Sequence, residues 1–547
     1  MSNKDPFGRH EAVVLEQGDP RRWWALGVLC LSLVLITLDN TVLNVALPTL
    51  SRDLHASTSQ LQWIVDGYQL VFAGLLFTAG SLADRFGRKG MLQLGLVVFG
   101  VGTLAAAFAG DANVLIATRA FMGIGGAMIM PSTLSILGTV FPNAGERAKA
   151  IAIWAAMSAV GIALGPVIGG VLLAHFSWGS IFMINVPVVI LALLGGRLLI
   201  PTSRDPNPGP LDPLGALLSI VALGGLVFAV IEGPDKGWSS GSVMVGALLG
   251  LGATAGFLAW ESHHPHPMLD LKLFRNRGFS MGSLTLLLSY FGALGTYFLF
   301  TQHLQFVLGY SALRAGIYSI PFAVFLVAFS LQTPKLIANW GTARVAGTGL
   351  TILAVGVGIR AFATPTTGYW LLVLSLIICG MGVGWIIAPS TGAIMGSLTA
   401  DQAGVGSAIN DAARQVGSAT GVAVLGSVWS SSYQGQLTRH TVGDRVPASA
   451  LAAGRASIGG VSDAAKSLPR VAANDLVTAA KAAFVHGSNV ANVVGAIVVL
   501  ISAGLAFRFL PRGRRVVAAE GELALIDVEP GIEGPEAWDG IPEPSSI

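Results

Sequence analysis

The chain has 547 residues, 53% of them hydrophobic and 11% charged, with 70 glycines and a formal charge of +3. Soluble domains carry about 25% charged residues, so a soluble α/β enzyme is excluded, and the small net charge lacks the basic footprint that nucleic-acid binding demands. Cys30 and Cys379 both fall in apolar runs, which leaves neither a disulfide framework nor thiolate chemistry.

Apolar runs of about 20 residues, the length that crosses a bilayer as helix, recur along most of the chain. In chain order the predicted spans are 24–48, 60–82, 91–109, 113–136, 150–173 and 178–200, a pair at 213–231 and 242–260, then 279–305, 312–334, 342–362, 370–395, 404–430 and 485–509. The total of fourteen is even and puts both termini on one side. Arg21 and Arg22 precede the first span and no small-residue cleavage pattern follows it, so that span is read as uncleaved. With the termini inside, 20 of the 32 Lys and Arg fall in inward segments; short outward loops and span edges hold 4, namely Arg52, Lys236, Arg314 and Arg360. This bias predicts cytoplasmic termini. Trp23, Trp24, Trp178, Trp238 and Trp370 fit the interfacial aromatic belt.

The two halves repeat. GIGGAMIMPST (123–133) matches MGVGWIIAPST (381–391) at an offset of 258, LADRFGRK (82–89) matches LIANWGTA (336–343) at 254, and the glycines of GIALGPVIGG (161–170) match GSATGVAVLG (417–426) at 256. The expected fold is therefore an all-α polytopic membrane protein of two pseudo-symmetric six-helix bundles with two inserted helices. Its parts are a cytoplasmic tail (1–23), an N-terminal bundle (24–200), a linker region holding the inserted pair (201–278), a C-terminal bundle (279–509) and a cytoplasmic, disordered tail (510–547). The extracytoplasmic loop 431–484 is expected to form a short amphipathic hairpin capping one half. His263, His264 and His266 lie in a proline-rich linker without Cys or carboxylates at ligand spacing, so no metal and no cofactor are expected.

Ionisable residues inside spans cost roughly 2.5–3.5 kcal/mol each at mid-helix and default to functional hypotheses. Asp39, Asp66 and Arg119 fall at similar depth in the first, second and fourth spans, where carboxylate and guanidinium can pair across the first half. Asp411 and Arg414, spaced i,i+3, share a face of the thirteenth span. A buried carboxylate without a fixed partner exchanges protons near neutrality, and a bound organic cation displaces that proton. The short turn GSLADRFGRK (80–89) reads as a cytoplasmic gate: Gly80 and Gly87 permit close approach, and Asp84 caps a helix and pairs with an arginine of the facing half. Arg85, Arg88 and Lys89 meet anionic lipid or facing carboxylates. In the fifth span Gly161, Gly165 and Gly169 recur every four residues beside Pro166 and Gly170, a flat and bendable helix expected at the interface between halves. Trp154, Met157, Tyr290, Tyr297, Phe322 and Trp385 are candidates to line a cavity, with Asp66, Asn410, Asp411 and Arg414 as its polar members.

These stretches together resemble the fourteen-helix drug:proton antiporter family of the major facilitator superfamily. LDNTVLNVALP (38–48) resembles its first-helix motif, WIVDGYQL (63–70) its second-helix segment and RAFMGIGGA (119–127) the fourth-helix motif, whose arginine is Arg119 here. GPVIGG (165–170) is similar to the fifth-helix motif of exporters, and NDAARQVG (410–417) to a thirteenth-helix segment affecting substrate range. AVFLVAF (323–329) lacks the mid-helix acid that some members carry, and Asn410 stands where some have glutamate, which weighs against divalent cations as cargo.

The resemblance implies secondary active efflux of lipophilic, often cationic, compounds coupled to proton entry, with Asp39, Arg119, Asp66 and Asp411 in proton coupling. It implies a multi-pass protein of a bacterial-type inner membrane, monomeric, whose partners are small substrates, protons and lipid. A dedicated proton-coupled exporter of one endogenous metabolite, antibiotic or lipid would use the same machinery. A non-transporting receptor or scaffold would keep the fold. An enzyme is not expected: no nucleophile, metal cluster or GxxxxGK[ST] loop is visible.

Overall fold

The computed structural model describes residues 21–204, 211–398, 402–440 and 446–511. The predicted tails lie almost wholly outside them. The long helices are α1 (Arg21–Asp53), α2 (Thr58–Phe86), α3 (Arg88–Ala107), α4 (Ala112–Val140), α5 (Ala144–His175), α6 (Ser180–Leu199), α7 (Pro213–Lys236) and α8 (Gly241–His263). They continue as α9 (Arg277–Val307), α10 (Ala312–Ser330), α11 (Thr342–Phe362), α12 (Tyr369–Met395), α13 (Ala403–His440) and α14 (Arg470–Phe509). Among the described residues thirteen of these are long and apolar enough to cross a membrane. The remaining one, α13, is 38 residues long but more polar.

Local chemistry sets the helix ends. Ser57 and Gln60 form a reciprocal capping box at the start of α2, and Asp111 and Asn143 cap α4 and α5 through their side-chain oxygens. Between α2 and α3 the chain turns on a single residue, Gly87, at φ 111°, a backbone conformation only glycine adopts without strain.

Packing reproduces the repeat. In the first half α1 packs on α5 and α6, α4 on α2 and α3, and α3 on α6; α9 to α14 pair in the same pattern, eight helices on. Across the halves α2 meets α13 and α5 meets α10, contacts that the internal symmetry exchanges. Gly161 and Gly165 lie against Thr37 and Thr41 of α1, while Gly417 and Gly421 lie against Leu287 and Phe291 of α9. The glycine stripe of α5 thus faces its own half rather than the interface expected for it. The adjoining face makes that interface: Gly170 abuts Ala312 and Leu313 of α10, as its counterpart Gly426 abuts Gln62 of α2.

The first helix of the inserted pair, α7, bridges one seam. The Trp63 indole donates to Glu232 at 3.0 Å, and Ser427 Oγ of α13 donates to the Val230 carbonyl at 2.6 Å. Leu70, Val227, Ile231, Ala419 and Ala423 fill the space between α2, α7 and α13. Where the pair meets its linkers, Asp212 caps α7 and also accepts from the Trp260 indole at 2.9 Å. Among the described residues His263, His264 and His266 hydrogen-bond to local Ser, His and backbone groups; His263 and His266 stand exposed, and His264 is half-buried against the Trp260 ring.

Between described residues, every hydrogen bond joining the two halves lies at one end. Thr301 and Gln305 of α9 donate to the Asn44 and Val45 carbonyls at 2.8 and 2.9 Å, and Gln62 donates to the Val422 carbonyl at 3.1 Å. Short helices Ala448–Ala456 and Ile458–Lys466 close over that end. They were expected to cap one half, yet they tie both: Thr58 and Ser51 of the first half bond to the Ala456 carbonyl and to Ser457, and Tyr433 of the second donates to the Gly454 carbonyl. At the opposite end, Asp84 pairs with Arg88 of its own half at 2.8 Å, not with an arginine of the facing half. Arg88 also donates to Thr139, and Lys89 to the Arg197 carbonyl.

A Cβ on Gly165 would overlap the Thr41 hydroxyl and come within 3.1 Å of the Leu38 carbonyl, whereas one on Gly138 meets nothing within 4 Å. Gly165→Val is therefore expected to lower stability by about 1–3 kcal/mol. Gly138→Ala should be neutral or slightly stabilising. Thermal unfolding of the two variants in detergent checks both.

Candidate functional site

Asp39 and Arg119 are fully buried inside the first half. Arg119 Nη1 donates to Asp39 Oδ2 at 2.5 Å, and its Nε donates to the Ile64 carbonyl at 3.1 Å. The other carboxylate oxygen accepts from Asn185 Nδ2 at 3.0 Å. The guanidinium also lies 4.5 Å from the centre of the Tyr68 ring, where the π-face adds attraction for the cation. Four helices, α1, α2, α4 and α6, thus meet on one ion pair. The pairing of Asp39 with Arg119 is as the shared depth implies. Asn185 was not singled out: a lone Asn at a helix start in an apolar stretch carries no signal until α6 is seen to bring it to Asp39.

The first helix has two working faces. Asp39 points into its own half, while Ile36, Thr37, Asn40, Thr41 and Asn44 form part of the wall of a central cavity between the halves. Including its mouth, that cavity holds about 1440 Å³ of atom-free space. Opposite stand Tyr290 and Tyr297 of α9, Phe322 of α10, and Asp411, Arg414, Gln415 and Ser418 of α13. Asp411 and Arg414 hydrogen-bond to each other, as their i,i+3 spacing implies.

Half of the candidates for the cavity wall lie elsewhere. Trp154 is buried in the apolar core of the first half with Met157 packed against that core. Trp385 packs between Phe329 and Trp340, with ring centres at 5.5 and 6.2 Å. Asn410 turns away and accepts from Thr391 at 2.9 Å. Asp66 is fully buried, and neither of its oxygens has a hydrogen-bond partner among the described residues. It lies outside the cavity wall, on the α2 face between Gln62, which bonds to α13, and Leu70, which packs on α13 and α7. Reading the sequence missed the polar wall residues Asn40, Gln69, Gln415 and Ser418 and the buried Arg360, all of which line the cavity. The i,i+4 pair Asn40 and Asn44 was the available signal. For Arg360 there was none, because a span-edge arginine reaches water as readily as it turns inward.

Removing one partner of a buried ion pair strands the other charge, at a cost of about 3–5 kcal/mol. Asp39→Asn and Arg119→Gln are each expected to lose stability of that order. The double variant should lose less than the sum of the two. A double-mutant cycle read by thermal unfolding in detergent tests this, and additive losses would show the pair to be energetically uncoupled.

Residues 29–422 match the family model for the Major Facilitator Superfamily. The multidrug efflux pump LfrA of Mycolicibacterium smegmatis is 38% identical over 495 residues, covering 89% of this chain and 97% of that protein. The methyl viologen resistance protein SmvA of Salmonella typhimurium is 34% identical, covering 90% of this chain and all of that protein. Among solved structures, a bacterial homologue of the human lysosomal transporter Spinster shares the fold, with a TM-score of 0.61 at 19% identity over 90% of this chain and 97% of that one. By family model, close relatives and fold, the chain belongs to the major facilitator superfamily of multi-pass membrane transporters, in the company of its multidrug efflux members.

Proposed function

We propose that this protein exports lipophilic, often cationic, toxic compounds from the cytoplasm or inner leaflet in exchange for protons. The observation that carries the reading is the placement of α1. One face of this helix lines the cavity, and the other holds Asp39 against Arg119 and Asn185. A proton taken up by Asp39 cancels the charge that anchors Arg119 and so loosens α4 and α6 against α1. That change reaches the cavity through the same helix. Asp66, buried beside the α2–α13 seam with no hydrogen-bond partner among the described residues, is a second group whose protonation alters contacts between the halves.

The contact pattern supports a state open to the cytoplasmic side. Polar contacts between the halves gather at the end opposite Asp84, and among the described residues Asp84 pairs with Arg88 of its own half. In the alternate state the gate residues Gly80, Asp84, Arg85, Gly87 and Arg88 would meet the facing half, as α5 and α10 pivot at Pro166 and Gly170. Arg85, Arg88 and Lys89 suit anionic lipid at this face. We place the protein in a bacterial inner membrane as a monomer with both termini cytoplasmic. Its relatives LfrA and SmvA bear names of multidrug efflux and methyl viologen resistance, which supports efflux as the direction.

Proteoliposomes loaded with ethidium test the coupling. Wild-type protein should move the dye against its gradient when an inward-directed proton gradient is imposed and stop when nigericin collapses it. Asp39→Asn and Asp66→Asn should insert normally and lose at least about tenfold in proton-driven rate, as expected when a proton-carrying group is removed. Transport that ignores nigericin would overturn antiport, and a variant with full rate would clear that acid of the role. A panel of unrelated dyes separates a broad exporter from one dedicated to a single compound.

A further inference from the structure

The central cavity holds an arginine with no acidic partner. Arg360, at the end of α11, is 5% exposed and lines the cavity, yet it forms no ion pair with any described residue. Its Nη1 and Nη2 donate to the Thr296 carbonyl and hydroxyl at 3.3 and 3.1 Å, and Nη2 approaches Cys379 Sγ at 3.6 Å. Nε is buried with no partner, and the guanidinium carbon lies 5.7 Å from the centre of the Phe300 ring. All of these neighbours are neutral. Arg360 also borders a small adjoining cavity whose other polar members, His303, Ser488, Asn489 and Asn492, include no carboxylate.

The other formal charges of the cavity wall are Asp411 and Arg414, which already satisfy each other. The acids best suited to attract a cation, Asp39 and Asp66, lie behind the wall rather than in it. Among its described lining residues the cavity therefore carries one uncompensated positive charge. Buried charges are stable when paired, and a guanidinium binds oxyanions through directed, charge-assisted hydrogen bonds.

We propose that Arg360 is a cargo-recognition residue, and that the cavity selects lipophilic compounds bearing one acidic oxygen group, a carboxylate or its equivalent, over matched compounds that are only cationic. The aromatic and aliphatic wall of Phe72, Tyr297, Phe322 and Leu326 holds the lipophilic body, and Arg360 orients the acidic group toward the end where the halves are tied. This deepens the export reading and rests on the central cavity being the cargo site, but it does not require proton coupling.

The test is equilibrium binding to purified protein in detergent, with no gradient, using rhodamine B and its ethyl ester, which share a chromophore and differ in whether the carboxylate is free. Wild-type protein should bind the free acid more tightly than the ester. Arg360→Gln should weaken the acid by about tenfold or more, the size of one charge-assisted hydrogen bond, and leave the ester within about threefold. Arg360→Lys, which keeps the charge and loses the planar fork, should retain a reduced preference for the acid. Equal wild-type affinity for the two dyes overturns the proposal, as does an equal loss of both in Arg360→Gln and Arg360→Lys. A wild type that binds neither dye overturns the cargo-cavity reading and this one with it. A preserved preference in protein that fails the nigericin test would overturn antiport alone.

Discussion

A carboxylate and a guanidinium sealed from water hold their charges only while they hold each other. In this chain that constraint falls on Asp39 and Arg119, and it determines how four helices meet. Arg119 reaches across α2 by bonding to the Ile64 carbonyl, and Asn185 brings α6 to the second carboxylate oxygen. Hydrocarbon packing alone would tolerate several rotations of these helices. The ion pair selects one, because any other would leave a charge or a polar oxygen bare. A group that can be neutralised by a proton therefore sits where the first half keeps its register.

Close approach of small residues supplies the second constraint. Gly161 and Gly165 let α5 lie against α1, and their counterparts Gly417 and Gly421 do the same for α13 against α9. Each half is thereby a firm unit, held through backbone-to-backbone contact that bulky side chains would forbid. The contacts between halves add to such close approach, of Gly170 to α10 and of Gly426 to α2, a few hydrogen bonds at one end and the short helices above it. Of the inserted pair, α7 spans the α2–α13 seam. The inserted pair breaks the symmetry that the rest obeys, since no equivalent covers the α5–α10 seam.

Charge placement separates the cavity wall from the most deeply buried acids. The cavity wall offers aromatic and aliphatic surface, several amides and hydroxyls, one satisfied ion pair and one arginine with no acidic partner among the described residues. The unpaired acid, Asp66, is elsewhere, at the joint between α2, α13 and the inserted α7. A molecule held in the cavity would thus not touch Asp39 or Asp66, which lie outside its wall. Any link between the two must run through helix positions, and α1, α2 and α4 each carry residues of both regions.

The sequence by itself determined the helices, their number and their repeat, because span length, glycine spacing and the offset of matched motifs are written in consecutive residues. It also singled out Asp39, Asp66, Arg119, Asp411 and Arg414 as ionisable residues within spans, though not Arg360, and the i,i+3 spacing of Asp411 and Arg414 was enough to pair them. Only the tertiary structure decided which way each charged side chain turns. Asp39, Asp66 and Arg360 could each have faced a cavity, a neighbouring helix or water. Trp154, Trp385 and Asn410 were plausible cavity residues until their helices were seen to turn them elsewhere, Trp154 into the core, Trp385 onto Phe329 and Trp340, and Asn410 toward Thr391. The glycines of α5 were legible as a packing stripe, yet their partner, α1 rather than the facing half, was not. The physical reason is common to all these cases: helical periodicity specifies a face relative to its own axis, and what that face meets is set by the azimuth and crossing of helices far apart in the chain.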